Sequence, residues 1–451
     1  MLQIDSVQPP LKFVPPIFNP IVFPVLKILG PLWMKRNASV DGVTIDNPEP
    51  LVDLFRSFYA KKSRFILAFR HPSTDDPPSI EHMMLSVLPR LGKQMGKPIP
   101  GEGHAHYLYE RGILMWGGAG ARWLFPRMGS VPIKRGTVDR TALKMTRELL
   151  VNGPFPLAMA PEGTVNGYSE IINPLEPGVA QMGFWCVDDL QKAGRDEEVF
   201  IVPIGLRYTF NQTPWRKIHQ LLCELEADCG LDIAQSLPSL EGKPMGLWFR
   251  DRLVKLGDYL LPQVEQFYIK FYSQDLSQEG DLQERLQALL SASLSVPERA
   301  FNMRPKGELI ERRHKIEQAA WNRIFREDIE DIEQLSMVEK ALADRVAKES
   351  NDLLWHMRIV ENFVALRQDY VADNPTPERV AETSVILWDL VARLQNKPVG
   401  SKPKLGQRTA RFTIGEPISV TSYRESYKAD RRGAVASVTS DLQAALENML
   451  P

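Results

Sequence analysis

Four short blocks carry the residue types that could do chemistry. The first is Arg70-His-Pro-Ser-Thr-Asp-Asp76, which follows an apolar run, Arg64–Phe69 (RFILAF), that reads as a buried strand. A histidine at the end of such a strand, with a carboxylate five residues on, can act as a base. The Asp76 carboxylate can bend back to accept from the His71 Nδ1–H, which would fix the tautomer and leave Nε2 free. The same residues also suit a plain strand-end turn in which Asp75 or Asp76 caps a helix beginning near Pro77. The second block is Gly129-Ser-Val-Pro-Ile-Lys-Arg135. It lies in a basic stretch in which Arg122, Arg127, Lys134, Arg135, Arg140, Lys144 and Arg147 face a single acidic residue, Asp139. Arginine's planar fork suits phosphate oxygens, and Arg135 follows a strand that could aim it at a site. Lys144 and Arg147 read as a solvated helix face. The third block is Ala160-Pro-Glu-Gly-Thr-Val-Asn-Gly167, after a strand-like FPLAMA (155–160). Glu162 there stands at the end of a parallel strand, where α/β sheets collect ligands, and Gly163 lets the backbone turn closely; a tight turn with Thr164 capping a helix reads equally well. The fourth is Val202-Pro203-Ile204, a proline inside a buried-looking strand, which fits an edge or an amide facing a cavity.

The elements that must position these blocks alternate. Strand-like Arg64–Phe69, helical Asp139–Val151 with Gly153 as its stop, strand-like 155–160, helical Gly178–Lys192 ending at Gly194 and strand-like Val199–Tyr208 imply parallel pairing with covering helices. Residues 304–370 are dense in Glu, Arg, Lys, Leu and Ala and contain no proline after Pro305, as long amphipathic helices require. After the loop 400–408, ARFTIGEPISV (410–420) is strand-like and Ala434–Leu450 helical. The expected class is therefore α/β: a central, largely parallel or mixed sheet flanked by helices, with a long all-helical insertion before the last core strand. The expected divisions are 1–40, an apolar proline-rich segment; 41–210, the α/β core; 211–405, the insertion; and 406–451, the returning strand and last helix.

Composition narrows the function class. The chain has 451 residues, 43% hydrophobic and 25% charged, with 55 Lys plus Arg against 56 Asp plus Glu. Such a balance argues against a protein built around nucleic-acid phosphates. Three cysteines, Cys186, Cys223 and Cys229, form neither a disulfide framework nor a four-thiolate zinc site, and point to a reducing, cytoplasmic compartment. Residues 8–35 are apolar and aromatic, but Pro15, Pro16, Pro20, Pro24 and Pro31 should break any spanning helix repeatedly. Asp5 and the want of a small-residue cleavage site speak against a signal peptide. The stretch reads either as an arm on the protein's own surface or as a segment lying in a membrane interface. Residues 245–272, aromatic beside Arg and Lys, could dock likewise, although a helix packed on the core has the same composition.

In order and spacing the four blocks resemble those of the glycerolipid O-acyltransferase superfamily, whose best-known members acylate lysophosphatidic acid. His71, Ser73 and Asp76 match its His-x-Ser-x-x-Asp pattern; Gly129, Ile133 and Arg135 match Gly-x-x-x-Ile-x-Arg; Pro161–Thr164 match Pro-Glu-Gly-Thr. The resemblance covers about residues 50–210 and 408–450 and leaves 211–400 unaddressed. Arg70 stands where the family often has Asn, and Val165 where it often has Arg, departures that bear on the acceptor more than on the reaction.

The resemblance implies transfer of a fatty acyl group from acyl-CoA or acyl carrier protein to a hydroxyl of a glycerol-phosphate-type lipid, with His71 as general base and Asp76 steadying its imidazolium. Ser73, Gly129, Arg135, Glu162, Gly163, Thr164 and Pro203 are the expected substrate-binding residues, Arg135 holding the phosphate and Glu162 a glycerol hydroxyl or that arginine. No metal or organic cofactor is expected, and the expected partners are a lipid acceptor, a membrane surface and acyl carrier protein as one possible donor, with no nucleic acid. The expected placement is peripheral or monotopic. Two alternatives stand beside this: a non-phosphorylated alcohol as acceptor, which Val165 allows, and a non-catalytic lipid-binding or membrane-scaffold protein. A metal site at His104-Ala-His106 with His71 or His82 lacks a zinc-like spacing.

Overall fold

A computed structural model describes residues 4–134, 138–233, 236–237, 245–329, 331–365, 368–372, 374–397 and 402–451. The chain divides into two compact units. One, formed by residues 13–133, 139–212 and 406–451, holds a sheet of eight strands: β1 Val40–Asp46, β2 Ser63–Phe69, β3 His106–Glu110, β4 Val131–Ile133, β5 Leu157–Met159, β6 Glu198–Phe210, β7 Arg408–Ile414 and β8 Ile418–Ser419. Their order is β1-β7-β6-β2-β5-β3-β4, with β8 also paired to β6. The pairings of β2 with β5 and β6, of β3 with β4 and β5, and of β1 with β7 are parallel. Those of β6 with β7 and β8 are antiparallel. The sheet is thus mixed and mostly parallel, as the alternation of elements implies.

Every residue of β2 is buried, because the sheet is covered on both faces and a central parallel strand has no wet side. Alternation divides its side chains. Phe65, Leu67 and Phe69 join a core with Phe55, Phe58, Val202, Ile204, Leu206 and Tyr208. Ile66 and Ala68 join the opposite core with helices Gly178–Lys192 and Arg431–Glu447. Helix Arg140–Asn152 starts where the Asp139 carboxylate accepts from the Ala142 N–H at 3.1 Å and stops at Gly153. Pro203 is no edge residue: β6 pairs on both sides. Its carbonyl accepts from the Gly415 N–H at 2.9 Å, opposite the break between β7 and β8, so its missing donor interrupts no regular ladder.

Elements of this unit that carried no clear sequence signal include β1, helix Glu49–Tyr59 and β3. The N-terminal prolines leave room for a short helix. Helix Val22–Trp33 forms with Pro24 in its first turn, where no intrahelical donor is needed, and Pro31 inside. Residues 13–38 do not stand apart, because Val22, Phe23, Met34 and Ala38 are buried in the sheet unit's core. At twelve residues this helix is about 18 Å long, short of the ~30 Å hydrocarbon core. No helix among the described residues is long and apolar enough to cross a membrane.

The other unit, residues 1–12, 134–138 and 213–405, is helical, with Trp215–Asp228, Met245–Tyr272, Leu282–Ala300, Leu309–Ile324, Met337–Ala365, Gln368–Ala372 and Pro377–Leu394. Helix Met245–Tyr272 buries Phe249, Leu253, Leu256, Leu260, Leu261, Val264 and Tyr268, so most of its apolar content serves this unit's core.

Candidate active site

The site grows from the end of β2. The strand stops at Phe69, and Arg70 still bonds to the neighbouring β6, its N–H donating to the Ile204 carbonyl at 3.0 Å. The chain then turns at Pro72 and Ser73 and enters helix Asp76–His82. Asp76 does not cap that helix. Its carboxylate points back: Oδ2 lies 2.8 Å from His71 Nδ1 and accepts from the Ser73 N–H at 2.9 Å. With Nδ1–H donating to the carboxylate, Nε2 carries the lone pair and has no partner among the described residues, and the side chain is 19% exposed. This is the arrangement that lets an imidazole take a proton while an adjacent anion stabilises the charge it acquires.

A residue that the four blocks did not announce completes the carboxylate. Tyr208, near the end of β6, donates its hydroxyl to Asp76 Oδ1 at 2.6 Å in a fully buried setting. Burial first, then the adjacent Asp76 charge, raises the Tyr208 phenol well above its ordinary range, so it stays a donor. The Arg408 guanidinium on β7 stacks 4.6 Å from the Tyr208 ring centroid and pairs with Asp75 at 2.8 Å. The signal available was the period-two alternation Val202, Ile204, Leu206, Tyr208, which ends one apolar face on a hydroxyl beyond the last residue of β2.

The third block fixes the histidine from behind. Glu162 is buried; Oε1 accepts from the His71 backbone N–H at 3.3 Å and lies 3.6 Å from Arg70 Nε, and Oε2 accepts from Asn166 Nδ2 at 2.8 Å and the Asn173 N–H at 3.1 Å. Its oxygens are spent on the chain rather than turned to a cleft. Arg70, the departure from the family pattern, is buried and donates to the carbonyls of Tyr168, Ser169 and Ile171. It thereby holds the segment after the Glu162 turn, and the Gly167 N–H reaches the Pro72 carbonyl at 3.2 Å. Gly163 has φ +67°, and a Cβ there would collide with the Glu176 carboxylate. Thr164 caps no helix, since the next begins at Gly178.

Other expected contacts lie elsewhere. Ser73 is used in the turn: its hydroxyl accepts from the Asp75 N–H at 3.2 Å. Gly129 has φ +70°, its carbonyl accepts from His106 Nδ1 at 2.8 Å, and a Cβ would come within 2.8 Å of that nitrogen, so it seats a buried ring. His104 lies 2.8 Å from both Glu81 Oε1 and the Met128 carbonyl. Those two histidines pin the Gly129 turn, and among the described residues no group of three or more His, Cys, Asp or Glu is arranged to hold a metal. Pro203 points, by alternation, to the face of β6 opposite Tyr208. The basic stretch disperses: Arg147 forms a forked pair with Asp189 and Lys134 pairs with Glu327 at 3.0 Å. Arg135 lies outside the described residues.

One surface feature belongs to the same unit. Ile17, Ile21, Ile28, Leu29, Leu32 and Trp33 are each more than half exposed. Ile21, Ile28 and Leu32 recur at helical spacing, so the buried and bare sides of helix Val22–Trp33 are both apolar. Lys35 and Arg36 follow, exposed. The Ile17 and Asn19 N–H groups bond to the carbonyls of Pro126 and Arg127, next to Trp123, which is 45% exposed under the Arg127 guanidinium.

No protein-family model, curated protein or solved structure matches this chain.

Proposed function

We propose that the chain is an O-acyltransferase that moves a fatty acyl group from a thioester, acyl-CoA or acyl carrier protein, to a hydroxyl of a glycerol-phosphate-type lipid, in first place 1-acylglycerol 3-phosphate. The observation that carries the reading is the His71–Asp76 pair at 2.8 Å with Nε2 left open. A binding module has no physical need to orient an imidazole this way and to back its carboxylate with a buried tyrosine.

The chemistry balances with these groups alone. His71 Nε2 takes the proton of the acceptor hydroxyl as its oxygen attacks the thioester carbonyl, and Asp76 stabilises the imidazolium. The tetrahedral oxyanion is stabilised by backbone N–H groups, for which Thr164 and Val165 in the Glu162 turn are the candidates. Collapse breaks the C–S bond, and the imidazolium proton passes to the departing thiolate. Glu162 and Arg70 act by holding the His71 backbone, and Arg135 is assigned the acceptor phosphate on the family pattern alone. The bare apolar side of helix Val22–Trp33, with Lys35 and Arg36 beside it, supports docking in a membrane interface, where such an acceptor resides.

The test is a panel of acyl-CoA and acyl-carrier-protein donors against lysophosphatidic acid, glycerol 3-phosphate and fatty alcohols, read by mass spectrometry of the ester. Ester formation that disappears in His71→Ala is expected. A wild-type chain inert toward every pair, yet binding lipid, would return the molecule to the scaffold reading.

A further inference from the structure

The antiparallel corner of the sheet has a second face. On β6, Val202, Ile204, Leu206 and Tyr208 point to the core on the Asp76 side, so Gly205 and Arg207 point away from it. The register with β7 places Arg411 directly opposite Arg207 and Thr413 opposite Gly205. Arg70, by the alternation of β2, comes to this face as well. Arg70, Ser169, Arg207, Arg411 and Thr413 line a small, solvent-open cleft whose other walls include Met449 and Leu450.

The charges in this cleft are unbalanced. Like charges directly opposite in a ladder repel. Arg70 is answered by Glu162 at 3.6 Å and by three carbonyls. Arg411 reaches only Asp46, at 4.0 Å, and Arg207 forms no ion pair among the described residues. Among the described residues none that lines the cleft is a carboxylate; its polar side chains are guanidinium groups and the hydroxyls of Thr413 and of Ser169, which also accepts from the Tyr208 N–H at 3.3 Å. Two half-exposed forks facing one another across a donor-rich hollow suit an anion with several oxygens.

We propose that the cleft between Arg207 and Arg411 binds a phosphate group, as inorganic phosphate or as a phosphate monoester. The site lies across β6 from Tyr208 and Asp76, so the phosphate it holds is not that of the acceptor at His71, and the inference goes beyond the acyl-transfer reading.

The test is calorimetric titration of the whole chain with inorganic phosphate and with glycerol 3-phosphate, without acyl donor, and flotation with phosphatidylcholine vesicles with and without phosphatidic acid. Saturable binding is expected, weakened at least about tenfold in Arg207→Gln and in Arg411→Gln but unchanged in the exposed Arg432→Gln. Weakening confined to the soluble probes identifies a soluble phosphate; weakening confined to the phosphatidic acid vesicles identifies a lipid headgroup. Absence of binding by every probe, or binding in both arginine variants equal to that of the wild-type chain, overturns the proposal. Should the variants fold poorly, hydrogen exchange on the wild-type chain decides: inorganic phosphate or phosphatidic acid vesicles must slow exchange around 205–209 and 409–413, and no slowing with either is equally fatal. No acyl transfer enters these readouts, so their failure is separate from failure of the activity.

Discussion

At the scale of single residues, the pair His71–Asp76 and its support make different demands. His71→Ala removes the base, and turnover should fall roughly 10²–10⁴-fold with the fold intact, since the ring is partly exposed. A variant turning over at the wild-type rate would dismiss the imidazole from the chemistry. Tyr208→Phe is the sharper probe, because it removes one oxygen and leaves a buried carboxylate lobe without its 2.6 Å donor. A hydrogen bond to a charged group is worth ~1.5–3 kcal/mol, so kcat should fall roughly tenfold or more while KM holds. A rise in KM with kcat unchanged would mean that Tyr208 shapes the acceptor site instead of positioning Asp76. The sequence motif announced that His71, Ser73, Asp76 and Glu162 gather here, but neither which way they face nor that Gly129 lies elsewhere. Ser73, Gly129 and Glu162 turn their polar groups to the chain, and Tyr208, 132 residues beyond Asp76, belongs to no local pattern.

At the scale of elements, helix Val22–Trp33 carries apolar surface on both sides. Its inner side anchors it through Val22 and Phe23, and its outer side presents Ile21, Ile28 and Leu32. Burying one such side chain is worth ~1.5–3 kcal/mol, so Ile28→Glu with Leu32→Glu should lower partitioning onto anionic vesicles by more than about a hundredfold. Both positions are exposed, so the melting temperature should hardly move. Vesicle sedimentation equal to wild type would refute the docking role. The central elements were legible because burial on both faces writes itself as uninterrupted apolar runs: RFILAF became β2, and Gly178–Lys192 formed within the expected bounds. The edge was not legible. β1 (VDGVTID) is half-exposed or exposed beyond Val40, and its alternation is blurred by Gly42, whose Cβ would meet the Thr409 hydroxyl at 2.8 Å. The Val22–Trp33 helix was obscured by its prolines, since a sequence shows that a donor is missing but not whether a first turn or a bare surface excuses it.

At the scale of the whole molecule, each compact unit contains a histidine that burial holds neutral. In the sheet unit, burial is the main cause that lowers His106 from 6.5 to about 4, with only the Gly129 carbonyl at Nδ1 and no partner at its buried Nε2. In the helical unit, burial likewise lowers His356 to about 4, and its Nδ1 lies 2.8 Å from the Tyr268 hydroxyl. Unfolding returns both rings to water, where they protonate near pH 6.5. Between pH 6.5 and about 4 the unfolded chain therefore binds more protons than the folded one, and stability falls as the pH falls. Each ring contributes ~1.4 kcal/mol per pH unit across that window, up to about 3 kcal/mol, and nothing above it. Urea denaturation at pH 7.5, 6 and 5 should show midpoints level over the first step beyond pH 6.5 and dropping below it. His356→Gln should flatten the drop for the transition of the helical unit, because glutamine takes up no proton in either state. If the drop survives unchanged in that variant, its source is another titrating group, and His356 does not couple the helical unit's stability to acid.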